Sequence, residues 1–379
     1  MAEIAFWSAV VLIAFTYVGY SLVILVLSRL VHNPVKRSPI EPKVTYLITA
    51  YNEEKNIAAK LEQVMTLDYP GDKLEIIVAS DGSTDRTDEI VKGFADRGVK
   101  LIRVEGRMGK TETQNQAVKQ ASGDIVIFSD ATTRYERSAI RNLVRNYADP
   151  SVGAVSGRYE YCNPTGAAIG LGSILFWKYE NMIKTMQTNI KTITGCCGCI
   201  YSVRREAYTP LPADIISDLV EPLKVLEKGY RIVFEPEAIA FEETTEKSKE
   251  EFRMRVRVIT RGMRGLLYMK MLFNPFRYPF VSFQLLSHKV LRWFIPVFLA
   301  VALVSNLFLA GVPFYSATLA LQLSFYALAL IGFVAEKRNI LAKPLTIPLY
   351  FVTVNLAAVV AMYRIWKGHK AVTWETVRK

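Results

Sequence analysis

Apolar and polar positions alternate on three scales along the chain. From Ile4 to Leu30 the residues are apolar or uncharged, apart from Arg29. That run exceeds the roughly 20 residues a helix needs to cross a bilayer. It is too long for a signal-peptide core and has no basic start before it, so a retained anchor is expected. Arg29, Lys36, Arg37 and Lys43 follow, which places the next domain on the cytoplasmic side by the positive-inside rule. Val31 to Pro42 reads as a linker, because its prolines interrupt any helix leaving the membrane.

Short apolar runs then alternate with helical periodicity. Val44–Ala50, Leu74–Ala79, Leu101–Val104 and Asp124–Ser129 read as strands. Between them, Ile57, Leu61, Val64 and Met65 share a helical face. So do Ile90, Val91 and Phe94, and a further helix opens at Gly109-Lys110. This alternation predicts an α/β fold with a mostly parallel, doubly wound, Rossmann-like sheet. Past Val152–Gly157, Leu171, Leu175, Tyr179, Met182 and Met186 fall on one helical face, facing either the core or a membrane interface. Ile200–Val203 and Tyr230–Phe234 read as strands around a short helix near Glu221 to Glu227.

The membrane pattern returns at Pro275. Phe276 to Trp293 mixes aromatics with Arg277, His288, Lys289 and Arg292, as an interfacial amphipathic helix would. Phe294–Ala310, Phe314–Val334 and Leu345–Tyr363 are then candidate spans. If all three cross, the basic tail lies outside, against the positive-inside rule, so one is interfacial or re-entrant or the rule fails. The expected organisation is an anchor at 1–31, a linker at 32–42 and the sheet domain at 43–272. An interfacial helix at 273–293, a membrane region at 294–363 and a basic tail at 364–379 complete it.

Composition narrows the partners. A formal net charge of +12 over 379 residues suits an anionic lipid surface or an anionic substrate. No aromatic-basic module for nucleic acid accompanies it, so nucleic acid is not an expected partner. Cys162, Cys196, Cys197 and Cys199 fit a reduced compartment. Their spacing and the chain's three histidines do not suit zinc.

Candidate chemistry collects at strand ends. Tyr51-Asn52-Glu53, the Ser80-to-Asp85 turn, Gly109-Lys110 with Asn115, and Asp130 all lie at or just beyond carboxyl ends of predicted strands. Open α/β sheets bind ligands there. Each segment has an ordinary reading as cap or turn; together they point to a site. Acids in the turn repel phosphate but accept hydrogen bonds from a base or ribose, which suggests a nucleotide sugar. A dinucleotide-dependent oxidoreductase is a poor rival, since no Gly-x-Gly-x-x-Gly follows the first strand. A non-enzymatic membrane scaffold leaves the strand-end acids unexplained.

From about Lys43 to Tyr268 the sequence resembles the family 2 glycosyltransferases of GT-A fold, in their membrane-bound polysaccharide and glycolipid synthase branch. The resemblance implies that Ala50, Tyr51, Glu53, Asp81, Gly82, Ser83 and Asp85 hold the nucleotide, with Lys110 and Asn115 bordering it. Asp130 stands where the family's metal-binding Asp-x-Asp begins, implying Mg²⁺ or Mn²⁺, although Thr132 replaces the second acid. Thr194, Gly195 and Cys196 match the acceptor segment. Asp218 matches the general base, with Ser217 in place of the preceding acid; its alternative role is a helix N-cap. Arg253, Arg257, Arg261 and Arg264 share one helical face, and Arg257 and Arg261 would steady the leaving diphosphate. A basic helix on anionic lipid is the other reading. The tryptophan of the processive Gln-x-x-Arg-Trp motif is replaced by Gly262, which favours transfer of one or a few sugars over processive polymerisation. The resemblance implies an inverting transferase in the plasma or inner membrane, taking a nucleotide-sugar donor, a lipid-linked or polysaccharide acceptor and other polysaccharide-assembly proteins as partners.

Overall fold

The computed structural model describes residues 1–162, 168–243, 247–338, 340 and 342–369. Most of the basic tail, including Lys370, Arg378 and Lys379, therefore lies outside the described residues. The strands are β1 Val44–Ala50, β2 Leu74–Asp81, β3 Val99–Val104, β4 Ile125–Asp130, β5 Arg134–Tyr135, β6 Val152–Cys162, β7 Ile200–Arg204 and β8 Arg231–Glu243. The helices are α1 Ala2–Leu30, α2 Ile57–Met65, α3 Thr87–Lys92, α4 Lys110–Val118, α5 Ala139–Val144 and α6 Ala168–Ile190. They continue as α7 Ser217–Glu227, α8 Ser248–Tyr268, α9 Pro279–Leu309, α10 Pro313–Lys337 and α11 Lys343–Trp366.

The strands form one mixed sheet in the order β3-β2-β1-β4-β7-β6-β8-β5. The four predicted early strands pair in parallel, and β7 turns the direction by pairing antiparallel with both β4 and β6. Period-two alternation sends Tyr46, Ile48, Ile76 and Val78 to one face, where α2 and α5 cover them. Leu47, Ile77 and Ala79 face the other way, beneath residues of α4, α7 and the start of α9. Both faces are therefore apolar, as parallel strands under two helical layers require.

The register fixes where the polar strand ends meet. Ala50 lies opposite Ser80 and Thr49 opposite Asp130, so β1, β2 and β4 terminate along one edge. Gly82 follows β2 with φ +66, and a Cβ there would collide with the Gly106 carbonyl. Only glycine meets both demands at low cost.

Helices α1, α9, α10 and α11 are each long and apolar enough to cross a membrane. The first of the C-terminal set differs from expectation in one respect. Residues 279–293 continue without a break into the apolar stretch, so α9 is one helix of 31 residues. Its first half packs on the sheet domain: Val281 and Leu285 join the core, and Gln284 Nε2 donates to the Thr192 carbonyl at 2.8 Å. Apolar packing between α1 and α6 involves Tyr20, Ile24, Ile183 and Ile190. The linker is tied down as well. Arg37 Nε lies 3.1 Å from Glu235, which also receives two bonds from the Arg145 guanidinium at 3.1 and 3.0 Å.

Glu235 is fully buried, and its removal takes a carboxylate from both guanidinium groups, leaving Arg145 with Glu237 and Arg37 with Asn146. Glu235→Ala is expected to cost about 2 kcal/mol, toward the upper part of the usual range for single substitutions. The check is thermal unfolding in detergent, where the variant melts several degrees below the parent.

Candidate functional site

The strand-end loops clasp each other through backbone and short side chains. Asn52, in the left-handed region at φ 53, donates its N–H to Ser83 Oγ at 3.1 Å and accepts the Thr84 N–H at 2.8 Å. Asparagine tolerates that conformation better than most residues. The Glu53 N–H reaches Thr87 Oγ1 at 2.8 Å, and the Glu54 N–H reaches Asp85 at 3.1 Å. Burial pushes the Glu53 carboxyl above the usual range. Burial acts the same way on Asp85, but its bonds from Thr87 and Glu54 outweigh it and hold that carboxyl below its ordinary value. The Tyr51 ring lies beneath the Arg107 guanidinium, 4.1 Å from the ring centre.

Asp81 is fully buried and accepts from the Met108 N–H at 2.8 Å, the Gly109 N–H at 3.0 and 3.1 Å, and Thr113 Oγ1 at 2.9 Å. It fixes the loop that opens α4. Asn115, on the same helix, bonds both the carbonyl and the N–H of Leu211 and accepts from the Tyr208 hydroxyl. In this structure both side chains are engaged by groups of the protein itself.

Lys110, the first residue of α4, forms an ion pair with Asp130 at the end of β4. Burial opposes its charge, but Asp130 more than compensates, so the ammonium is held above its usual value. Its Nζ also lies 3.5 Å from the Gly198 carbonyl. On the other side of Gly198 stands Asp218, so close that a Cβ on Gly198 would collide with its carboxylate. Asp218 lies in the first turn of α7, with Ile216 at the N-cap position, and its carbonyl accepts the Cys196 N–H at 3.0 Å. Burial raises the Asp218 pKa; Lys110 and Arg261 pull it back.

The arginine stripe divides. Arg253 is exposed and Arg257 half-buried, while Arg264 pairs with Asp214 at 3.0 Å. Arg261 is buried and donates to the Ile215 carbonyl at 3.2 Å, with its charge beside Asp218. The structure thus brings Lys110 and Asp218 against Gly198, with Asp130 paired to Lys110, the Arg261 charge beside Asp218, and Cys196, next to Thr194 and Gly195, bonded to the Asp218 carbonyl.

Three neighbours escaped the sequence reading. Glu242 on β8 accepts from the Thr132 hydroxyl at 3.2 Å, placing a carboxylate where the motif lacks its second acid. Trp293 on α9 lies over Gly262, 3.1 Å from the position of a Cβ there. Lys289, one turn earlier, lies over Gly195. The signal for these last two was their spacing of four, which the interfacial reading of 273–293 absorbed.

The chain is similar to known proteins in sequence and in fold. Residues 45–210 match the family Glycosyl transferase family 2. A probable glycosyltransferase, YdaM of Bacillus subtilis, is 31% identical over 246 residues, covering 61% of this chain and 57% of the relative. The poly-beta-1,6-N-acetyl-D-glucosamine synthase of Staphylococcus aureus is 29% identical over 230 residues, covering 59% and 55%. The chain thus matches a little over half the length of these relatives. In three dimensions it is similar to a mannosyltransferase from Pyrobaculum calidifontis, solved with GDP-Man and Mn²⁺. The TM-score is 0.72 at 22% identity, over 97% of this chain and all of that one. That likeness establishes the GT-A fold.

One turn beyond Asp218, Glu221 is fully buried. Burial pushes its carboxyl up to about 8, with Lys228 and the Thr209 backbone only partly offsetting this. The folded protein therefore holds a proton there that the unfolded chain releases near the ordinary glutamate pKa, at about 4. Stability from this group is full below that pH and falls as pH rises toward about 8. Glu221→Gln, which mimics the protonated acid, is expected to remove this decline. Its melting temperature should exceed the parent's by a margin that widens from pH 5 to pH 8.

Proposed function

We propose, for a chain that carries a family 2 glycosyltransferase domain, that it moves a sugar from a nucleotide-sugar donor, UDP-linked, to a lipid-linked or growing surface-polysaccharide acceptor. Transfer inverts the anomeric carbon and adds one or a few sugars. The enzyme sits in the cell membrane with the sheet domain on the cytoplasmic side. The observation that carries the reading is Gly198, with Lys110 against its carbonyl and Asp218 against its Cα. A cation for the donor phosphates and a carboxylate for the acceptor thus face one gap.

An inverting transfer needs the acceptor hydroxyl on the side opposite the leaving diphosphate, with a base to take its proton. Asp218 fills that role, and its raised pKa strengthens it as a base. Lys110 and Arg261 bring positive charge toward the phosphates, arginine through paired donors, and Arg257 lies one turn along α8 from Arg261. Tyr51, Glu53 and the Asp81-to-Asp85 turn bound the nucleotide end.

The donor set suits Mg²⁺ or Mn²⁺. Hard cations of this kind bind through about one or two carboxylates plus substrate phosphates. Asp130, with its side chain 35% exposed, supplies one carboxylate, and Glu242 lies beside Thr132. The bound ion would neutralise charge on the departing diphosphate.

A second reading, processive polymerisation, is favoured by one observation. Trp293 covers Gly262 from α9, where the processive motif carries a tryptophan on α8. Product length from purified protein separates the two: long chains favour the second reading.

The test is UDP release and sugar transfer by detergent-purified protein across UDP-, GDP- and dTDP-sugars. Asp218→Asn is expected to lower transfer by about 10²- to 10⁴-fold, the usual contribution of a general base, with nucleotide affinity unchanged. Retained turnover would remove Asp218 from the mechanism. Transfer should fall as pH drops through the Asp218 pKa, because the base must be deprotonated. Arg261→Gln removes a cation that favours the carboxylate, so the acid limb of its pH–rate profile should move to higher pH.

A further inference from the structure

The membrane side of the site carries two cations that the reaction above does not use. Lys289 Nζ lies 3.4 Å from the position a Cβ on Gly195 would take, and its charge acts on Asp218. Lys184, on α6, is 8% exposed and lies over the rings of Trp177 and Phe234 at 5.3 and 5.7 Å. Its charge acts on both Cys196 and Lys289. Among the described residues neither ammonium has a hydrogen bond or salt bridge. The nearby carboxylate, Glu180, pairs through one oxygen with Arg292 at 2.5 Å, and its charge also acts on Lys289.

We propose that the acceptor is a phosphate-bearing membrane lipid carrying a saccharide, and that Lys184 and Lys289 bind its phosphate beside Asp218. This rests on the glycosyltransferase reading and names its acceptor class. Three cations, Lys184, Lys289 and Arg292, face two acids, Glu180 and Asp218, at this spot; that surplus of positive charge is costly unless an anion balances it, and a neutral polysaccharide offers none. Phosphate does; Lys289 stands over Gly195, and the charge of Lys184 reaches Cys196. The source is the bilayer because of where Lys289 sits. A widened helical turn, Leu285–Val290, carries it past Gly195; such turns frequently mark functional positions in helices. Beyond Trp293, α9 has no charged residue to its end at Leu309. Phe294, Val297 and Val301 are exposed along it. A lipid with its phosphate at Lys289 can lay its chain along that flank.

The chemistry then balances. A hydroxyl of the lipid-borne saccharide bonds to the donor's anomeric carbon, the bond from that carbon to the diphosphate breaks, and Asp218 takes the hydroxyl proton. The nucleoside diphosphate leaves with the bonding electrons. The lysines only position the acceptor.

The experiment uses the full chain in nanodiscs of zwitterionic lipid. Radiolabelled long-chain polyprenyl phosphate, its parent polyprenol and inorganic phosphate are the probes, with Mn²⁺–UDP binding measured in parallel. The phosphate lipid should bind at least tenfold more tightly than the polyprenol. Lys184→Gln and Lys289→Gln should each lose that advantage, the arginine variants should keep it, and all should bind nucleotide as the parent does. Equal binding of polyprenol and its phosphate, or no loss in the glutamine variants, would overturn the proposal. Inorganic phosphate saturating at the lipid's own concentration would overturn the bilayer as source. Failure of the unmodified protein to bind any nucleotide would instead strike the glycosyltransferase reading, so the two failures are distinguishable.

Discussion

A carboxylate sealed from water must find donors inside the protein, and Asp81 meets that demand with the N–H groups of Met108 and Gly109 and the Thr113 hydroxyl. The rest of the site follows from it. Those bonds set where α4 begins, and the start of α4 sets where Lys110 points. Lys110 in turn meets Asp130 from β4 and the Gly198 carbonyl from the segment before β7. One satisfied buried charge thus aligns three chain segments far apart in sequence.

A second dependence runs through the long apolar helices. The first half of α9 is a wall of the site as well as the lead-in to a candidate span, with Lys289 over Gly195 and Trp293 over Gly262. Leu219, directly after Asp218, packs against the same glycines. The glycines at 195, 198, 262 and 265 let α7, α8 and α9 approach closely enough for one acid to be reached from several sides. Arg255 adds a tie from α8 to α11, donating to the Tyr350 hydroxyl at 2.8 Å. Site and apolar helices are in that sense one packed unit.

The sequence was most legible where a single physical rule controls the outcome. Strands β1 to β4 announced themselves as apolar runs ending in polar residues, and their parallel pairing followed from the intervening helices. The antiparallel entry of β7 was not legible, because strand direction depends on where a returning chain docks. The arginine stripe shows the same limit. Spacing put four arginines on one face, but packing left Arg253 exposed, buried Arg261 beside Asp218 and gave Arg264 to Asp214.

By itself, then, the sequence determined the α/β character of the middle domain, the edge on which its polar residues gather and the apolar helices at either end. These are properties of local periodicity and residue chemistry. Only the tertiary structure decided that Thr132 has Glu242 for a neighbour, that a tryptophan stands over Gly262, and that Lys184 and Lys289 adjoin the site. Each of those pairs joins residues from separate elements, and the distance between such residues is set by how helices and sheet pack. No local pattern encodes it.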